Sequence, residues 1–287
     1  MTDQSCFEEE GINQNSSSVP FSTHELISIA LTEQDEVAAW DAVVTLHYRG
    51  TREIFDAACQ LCMGNCHQEK RLGANILGQL GIPKRTYPVE TVHLLVQLLE
   101  TEKNECVLQA ICSALGHFHD ARAISAVSRL RTHSSANVRF SVVFGVLGHP
   151  DTLAIATLIE LSRDQDDDVR NWATFGIGRQ IDVDTPQIRA ALLERVVDED
   201  EDTRGEALFG LARRKDQRIV EPLIQELNRC SVAKCHHSID AAEELADPRL
   251  LPVLMNLKQS ELPGNTTFDD AIRRCSAGKE EGTGCPS

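Results

Sequence analysis

The stretch "CQLCMGNCH" sets Cys59, Cys62, Cys66 and His67 in a Cys-x2-Cys-x3-Cys-His spacing. Thiolates and an imidazole at such intervals could supply four ligands to zinc or to an iron–sulfur cluster. The competing reading takes Cys62 as a small core residue, on one apolar helical stripe with Phe55 and Ala58. A second group, Cys230, Cys235, His236 and His237, lies far along the chain. His117, His119 and His149 fall near the ends of helical patterns, none of them in the His-Glu pattern of a diiron site, and they read as solvated turn histidines. Two acidic runs, Asp164 to Asp168 and Asp198 to Asp202, each precede a helical pattern. Carboxylates there cap free amides and complement the helix dipole, and together on one edge they could also attract a basic partner. The chain contains no nucleophile–base pair, phosphate loop or zincin motif, so no catalytic residue is assigned.

These residues must be carried by helices. Residues 1–20, with Glu8-Glu9-Glu10 and Ser16-Ser17-Ser18, read as a flexible acidic and polar tail, and residues 260–287 as a second flexible tail. Between them nearly every segment is helix-periodic. Seven small or apolar residues, Ala42, Gly73, Ile111, Val142, Ala173, Ala207 and Ala241, mark a repeat with a period of about 33 residues. Four positions after each marker stands an apolar residue: Leu46, Leu77, Leu115, Val146, Ile177, Leu211 and Leu245. Upstream of the markers run amphipathic segments such as "VETVHLLVQLLE" and "TLAIATLIELSR", and turn signals such as Gly50, Gly81 and Pro150-Asp151 separate the units. The expected architecture is an all-α solenoid over residues 21–259, a right-handed superhelix of about seven helix pairs closed by a final helix at 249–259. Packed helices lie about 8–10 Å apart, so the two cysteine groups stand roughly 40–50 Å apart and cannot share one metal.

The motifs "ANVRFSVVFGVLG", "DDVRNWATFGIG" and "DTRGEALFGLA" resemble HEAT repeats, especially the short bacterial type first associated with phycobilisome lyases. The resemblance covers about residues 22 to 259. Val138-Arg139 and Val169-Arg170 match its Val-Arg pattern, the sixth unit has Thr203-Arg204, and the first, third and seventh units carry Ala39, Leu108 and Ser238 instead of arginine. The fold implied is the solenoid; the functions implied are several, from adaptors to lyase subunits, hydroxylases and DNA-repair enzymes. A deoxyhypusine hydroxylase-like role would call for four His-Glu pairs as iron ligands, and this chain has one, His24-Glu25. A bilin lyase-like or chaperone-like role stands as the alternative to an adaptor.

A Phe-Gly pair recurs as Phe144-Gly145, Phe175-Gly176 and Phe209-Gly210. On a helical wheel the apolar stripe falls about 40° to one side of the marker, and the glycines about 60° to the other, on the flank of that stripe. There a glycine lets a neighbouring helix approach, offsetting a propensity cost of about 1 kcal/mol. The phenylalanines fall nearly opposite the stripe, with Trp172, Arg179 and Arg213 in the same sector. In HEAT-like solenoids the second helices line the concave surface. The six residues Phe144, Trp172, Phe175, Arg179, Phe209 and Arg213 are therefore candidates for a partner-binding groove. The competing reading tucks the rings sideways between neighbouring second helices, where they merely pack.

The chain has 28 basic against 44 acidic residues, a net charge of −16. That disfavours nucleic acid as a partner, because phosphate backbones need clustered lysine and arginine. No basic segment followed by an apolar run opens the chain, and no apolar stretch approaches membrane-spanning length, so a cytoplasmic protein without a membrane partner is expected. In such a chain the ten cysteines are expected as reduced thiols. The leading expectation is a non-enzymatic scaffold that holds a protein or peptide on its concave face and needs no cofactor. An enzyme or enzyme subunit of the same fold is the alternative.

Overall fold

The computed structural model describes residues 21–229, 236–259 and 266–281. The first four pairs of helices are α1 (Thr23–Thr32) with α2 (Glu36–Arg49), α3 (Arg52–Met63) with α4 (His67–Gln79), α5 (Pro88–Thr101) with α6 (Glu105–Gly116), and α7 (Ala121–Ser128) with α8 (Ala136–Val146). Next come α9 (Thr152–Leu161) with α10 (Asp167–Phe175), which a π turn extends over Gly176–Gln180, and α11 (Pro186–Arg195) with α12 (Glu201–Arg213). The series ends with α13 (Val220–Arg229) and α14 (His236–Leu245), then α15 (Leu251–Gln259) and α16 (Asp269–Glu281). Each pair packs on the next, and no strand occurs among the described residues. This is the expected α-solenoid.

Helix starts follow from local chemistry. Ser22 and Glu25 form a reciprocal capping box at α1. Asp35, Thr51, Asn104, Asp151, Asp166, Thr185 and Asp200 each accept a backbone amide at the start of a later helix. Such caps stabilise a helix by about 1 kcal/mol each.

The repeat register is the one the markers announce. All seven residues from Leu46 to Leu245 on the apolar stripe are buried, and Leu46, Leu77, Val146, Ile177 and Leu211 have no exposed surface. Most neighbouring second helices pack more closely than neighbouring first helices do, so the second helices form the inner layer. Glycine allows this approach. A Cβ added at Gly210 would stand 2.6 Å from the Cα of Gly178, and one at Gly145 would stand 3.2 Å from the carbonyl oxygen of Cys112.

The C-terminal tail is not as expected. The flexible tail expected over residues 260–287 contains α16, which pairs with α15 and makes an eighth helix pair. Phe268, Ala271 and Cys275 are fully buried, and the Cys275 thiol donates to the Ala242 carbonyl at 3.6 Å. Their spacing is helical, but only a narrow stripe among charged and small residues carries it. Residues 1–20, the other expected tail, lie outside the described residues, as do 260–265 and 282–287.

Consecutive repeats are also tied by charge. Arg139 makes two hydrogen bonds to Asp164, at 2.6 and 2.7 Å, and reaches the carbonyls of His133 and Ser134. Arg170 does the same to Asp198, and Arg204 to Glu226. Lys70, at the equivalent place in the second unit, reaches Glu102 at 2.9 Å. In each case a cation on one second helix grips a carboxylate of the next repeat. The acidic runs thus serve the fold: Asp166 and Asp200 cap helices, while Asp164 and Asp198 take arginine. Burial pushes the Asp198 carboxyl up, but hydrogen bonds from the Arg170 guanidinium and the Asp200 amide outweigh it, so its pKa lies below the ordinary value.

The three histidines expected as solvated turn residues are not all solvated. His149 is buried, His117 is half-buried, and the rings of His119 and His149 lie 5.4 Å apart. Burial holds the imidazoles of His47, His117 and His149 below their ordinary pKa. They sit where second helices end against the next repeat, and no wheel of a single helix shows that contact.

Three outcomes test this account. Ile177→Ala and Leu211→Ala should each cost about 2–5 kcal/mol in urea unfolding, as buried stripe positions do; losses under about half a kilocalorie at both would show the register to be wrong. Arg170→Met should cost about 3 kcal/mol, because it leaves the Asp198 carboxylate buried without its main partner. Stability should also fall on acidification in two windows. Histidines with a depressed folded pKa are stabilising above the unfolded value of about 6.5 and lose that contribution as pH drops below it. Depressed carboxylates such as Asp164 and Asp198 keep theirs until pH falls below about 4, then lose it. Melting temperatures taken from pH 8 to 3 should show both steps, and His149→Gln should shrink the first.

Candidate interaction face

The inner layer carries the six sequence-selected residues, and the structure divides them. Phe144 is partly buried and lies across Gly116 of the preceding second helix, where an added Cβ would come within 2.8 Å of its ring. Its other ring neighbour is His117, edge-on at 5.3 Å. Phe209 is partly buried as well, with the Arg179 guanidinium carbon 3.6 Å from its centroid. These two rings tuck between neighbouring second helices, so the reading of free rings standing in the groove is corrected for them. The close spacing of the inner layer leaves them no other room.

Neither arginine edges the groove as a free cation. Arg179 donates to Glu206 at 2.6 Å and to Asp240 at 3.5 Å, and its guanidinium lies 3.1 Å from Nδ1 of His237. Arg213 donates to Asp182 at 2.5 Å and to the Arg179 carbonyl at 2.8 Å. Both are ties between repeats.

Trp172 behaves differently, while Phe175 is partly buried like Phe144 and Phe209 but has another aromatic ring as its neighbour. Trp172 is 43% exposed, with Phe175 edge-on at 5.4 Å. On its other side stands Phe140, 6.1 Å away and 37% exposed. The three rings form one aromatic cluster across the adjoining helices α8 and α10. Phe140 was missed from sequence because it lies outside the Phe-Gly pairs. Its signal was present, since a residue two positions before the marker falls in the ring sector of the wheel. Trp40 stands at the same place in the first unit and is 51% exposed. It lines an open cavity of about 410 Å³ between α2 and α4, together with Arg71 and Asn75.

An exposed carboxylate shares a helix with Trp172. Asp168, one turn before Trp172, is exposed, and so is Asp202 at the equivalent place in the next repeat. The ladder arginines are already neutralised by their own carboxylates.

The cysteine motif does not assemble. Cys62 is fully buried and its pKa is pushed up by burial to about 12, while Cys66 precedes α4 and is exposed, as is His67. Cys59 lies half-buried on α3. Among the described residues no three His, Cys, Asp or Glu side chains are placed to hold a metal ion. Cys230 and Cys235 of the second group lie outside the described residues. The one His-Glu pair is spent locally, since Glu25 accepts both the amide and the hydroxyl of Ser22. Among the described residues six cysteines are unbridged thiols, and no described helix is long and apolar enough to cross a membrane.

Comparison with known proteins agrees with this architecture. The chain matches HEAT repeats over residues 92–178 and 155–241. Protein YibA of Escherichia coli (strain K12) is 31% identical over 215 residues, which cover 73% of this chain and 75% of that protein. The X-ray structure of YibA superposes with a TM-score of 0.74 at 26% identity, over 89% of this chain and 93% of that one. An engineered protein aligns over 89% of this chain and 77% of its own with a TM-score of 0.55 at 14% identity, a likeness of fold alone. The chain belongs to the HEAT-repeat family.

Proposed function

We propose that this chain is a non-enzymatic interaction scaffold whose inner face holds a protein partner. The observation that carries the reading is the aromatic cluster of Phe140, Trp172 and Phe175. Two of its rings are substantially exposed on the inner layer, outside the continuous core. Aromatic side chains gathered at the centre of a surface are the usual anchors of a protein interface, because they bury much area with few rotors to freeze. The stacked repeats hold them in place before the partner arrives, which lowers the ordering cost of binding. No constellation of nucleophile, base and oxyanion donors accompanies the cluster among the described residues. The adaptor reading is therefore preferred to a lyase-like or hydroxylase-like one.

The test is positional. A photo-reactive phenylalanine analogue placed at Trp172 should crosslink a partner in cells, while the same group at Leu153, exposed on a first helix, should not. Equal crosslinking at both positions would remove the reading. Trp172→Ala should abolish affinity capture of the species so identified while changing stability by only about 0.5 kcal/mol, as exposed positions do. Phe144→Ala and Phe209→Ala should instead each cost about 2 kcal/mol or more, since their rings are wedged between repeats. Thermal melts of the three variants separate anchoring rings from packing rings.

A further inference from the structure

Three consecutive repeats carry a phenylalanine two residues after their marker. In two of them the ring is covered by the side chain six residues after the marker of the preceding repeat. His117 covers Phe144 in this way, at 5.3 Å, and Arg179 covers Phe209, at 3.6 Å from guanidinium carbon to ring centroid. For Phe175 the corresponding residue is Gly148, which has no side chain to offer. The ring neighbour of Phe175 is Trp172, which in turn meets Phe140. Interplanar angles of 70° and 81° turn the three rings steeply against one another, so their π faces point in different directions. An exposed carboxylate, Asp168, stands one turn before Trp172 on the same helix, and Arg179 and Arg213 are held by carboxylates of their own.

An aromatic face attracts a cation, and adjacent carboxylates strengthen the attraction. We propose that the Phe140–Trp172–Phe175 cluster receives an arginine or lysine side chain of the protein partner, in the role that Arg179 plays on Phe209 within the chain. The inference rests on the reading of the inner face as a docking surface and names the chemistry of what docks there. The net charge of −16 also favours approach of a basic segment.

In Trp40→Phe protein, Trp172 is the only tryptophan, so its emission reports on the cluster directly. Three blocked pentapeptides serve as probes: Gly-Arg-Gly-Arg-Gly and its counterparts with norleucine or glutamate replacing arginine. The arginine peptide should shift the emission saturably, and the other two should not. Phe175→Leu keeps an apolar side chain but removes the π face, and should weaken the arginine peptide about fivefold. Asp168→Asn should weaken it about twofold at low salt, with the difference fading near about 0.5 M salt as screening sets in. Equal binding of the norleucine peptide would overturn the inference, and so would an unchanged arginine affinity in Phe175→Leu or no response to any probe. The crosslink at position 172 is read independently, so these failures would leave the docking reading standing.

Discussion

The whole molecule depends on how closely consecutive second helices approach. A solenoid has no contacts between distant repeats to fall back on, so each junction must hold by itself. Here the approach is set by small residues on the flank of the buried stripe: Gly145 against the Cys112 carbonyl, and Gly210 against the backbone of Gly178. A side chain at either place would push the helices apart. Everything on the inner face follows from that spacing, including which rings are trapped and which stay open.

The arginine ladder is the second consequence. With the helices this close, Arg139, Arg170 and Arg204 reach a carboxylate of the following repeat while also closing the carbonyls of their own interhelical turn. A guanidinium suits this work, because its planar fork can serve a carboxylate and backbone carbonyls together. Nearly buried pairs of this kind add little net energy over an apolar junction, yet they are costly to break. Losing the arginine would leave a nearly buried carboxylate without its partner at the junction between repeats. The acidic runs that look like a docking site for a basic partner are thereby largely committed within the fold. Asp168, exposed one turn before Trp172, stands outside those ties.

This division gives the inner face its character. Phe144 and Phe209 belong to the junctions, held by His117 and Arg179. The cluster of Phe140, Trp172 and Phe175 lies between those two closed places, where Gly148 leaves the pattern incomplete. A rigid inner layer with one open aromatic patch is a surface suited to recognition by preorganisation rather than by rearrangement.

The repeat period, the helix pairs and the buried stripe from Leu46 to Leu245 were legible in the amino-acid order, because they rest on helical periodicity within a single segment. The role of Gly145 and Gly210 was legible too, since a missing Cβ on the edge of a buried stripe has few other uses, whereas Gly176 makes room for the side chains of Leu147 and Leu158. Helix α16 was not, because a narrow stripe among charged neighbours becomes apolar only when α14 and α15 are there to cover it. The same limit applies to the candidate site. Phase on a wheel put Phe144, Phe175 and Phe209 in one sector and could not tell them apart, for the difference lies in residues of the preceding repeat: His117, Gly148 and Arg179. Nor could it show that Arg179 and Arg213 are neutralised, or that Cys62 points inward while Cys66 does not. Order along the chain determines which face of each helix is apolar. Only the stacking of one repeat on the next decides which of the remaining side chains are left without a neighbour.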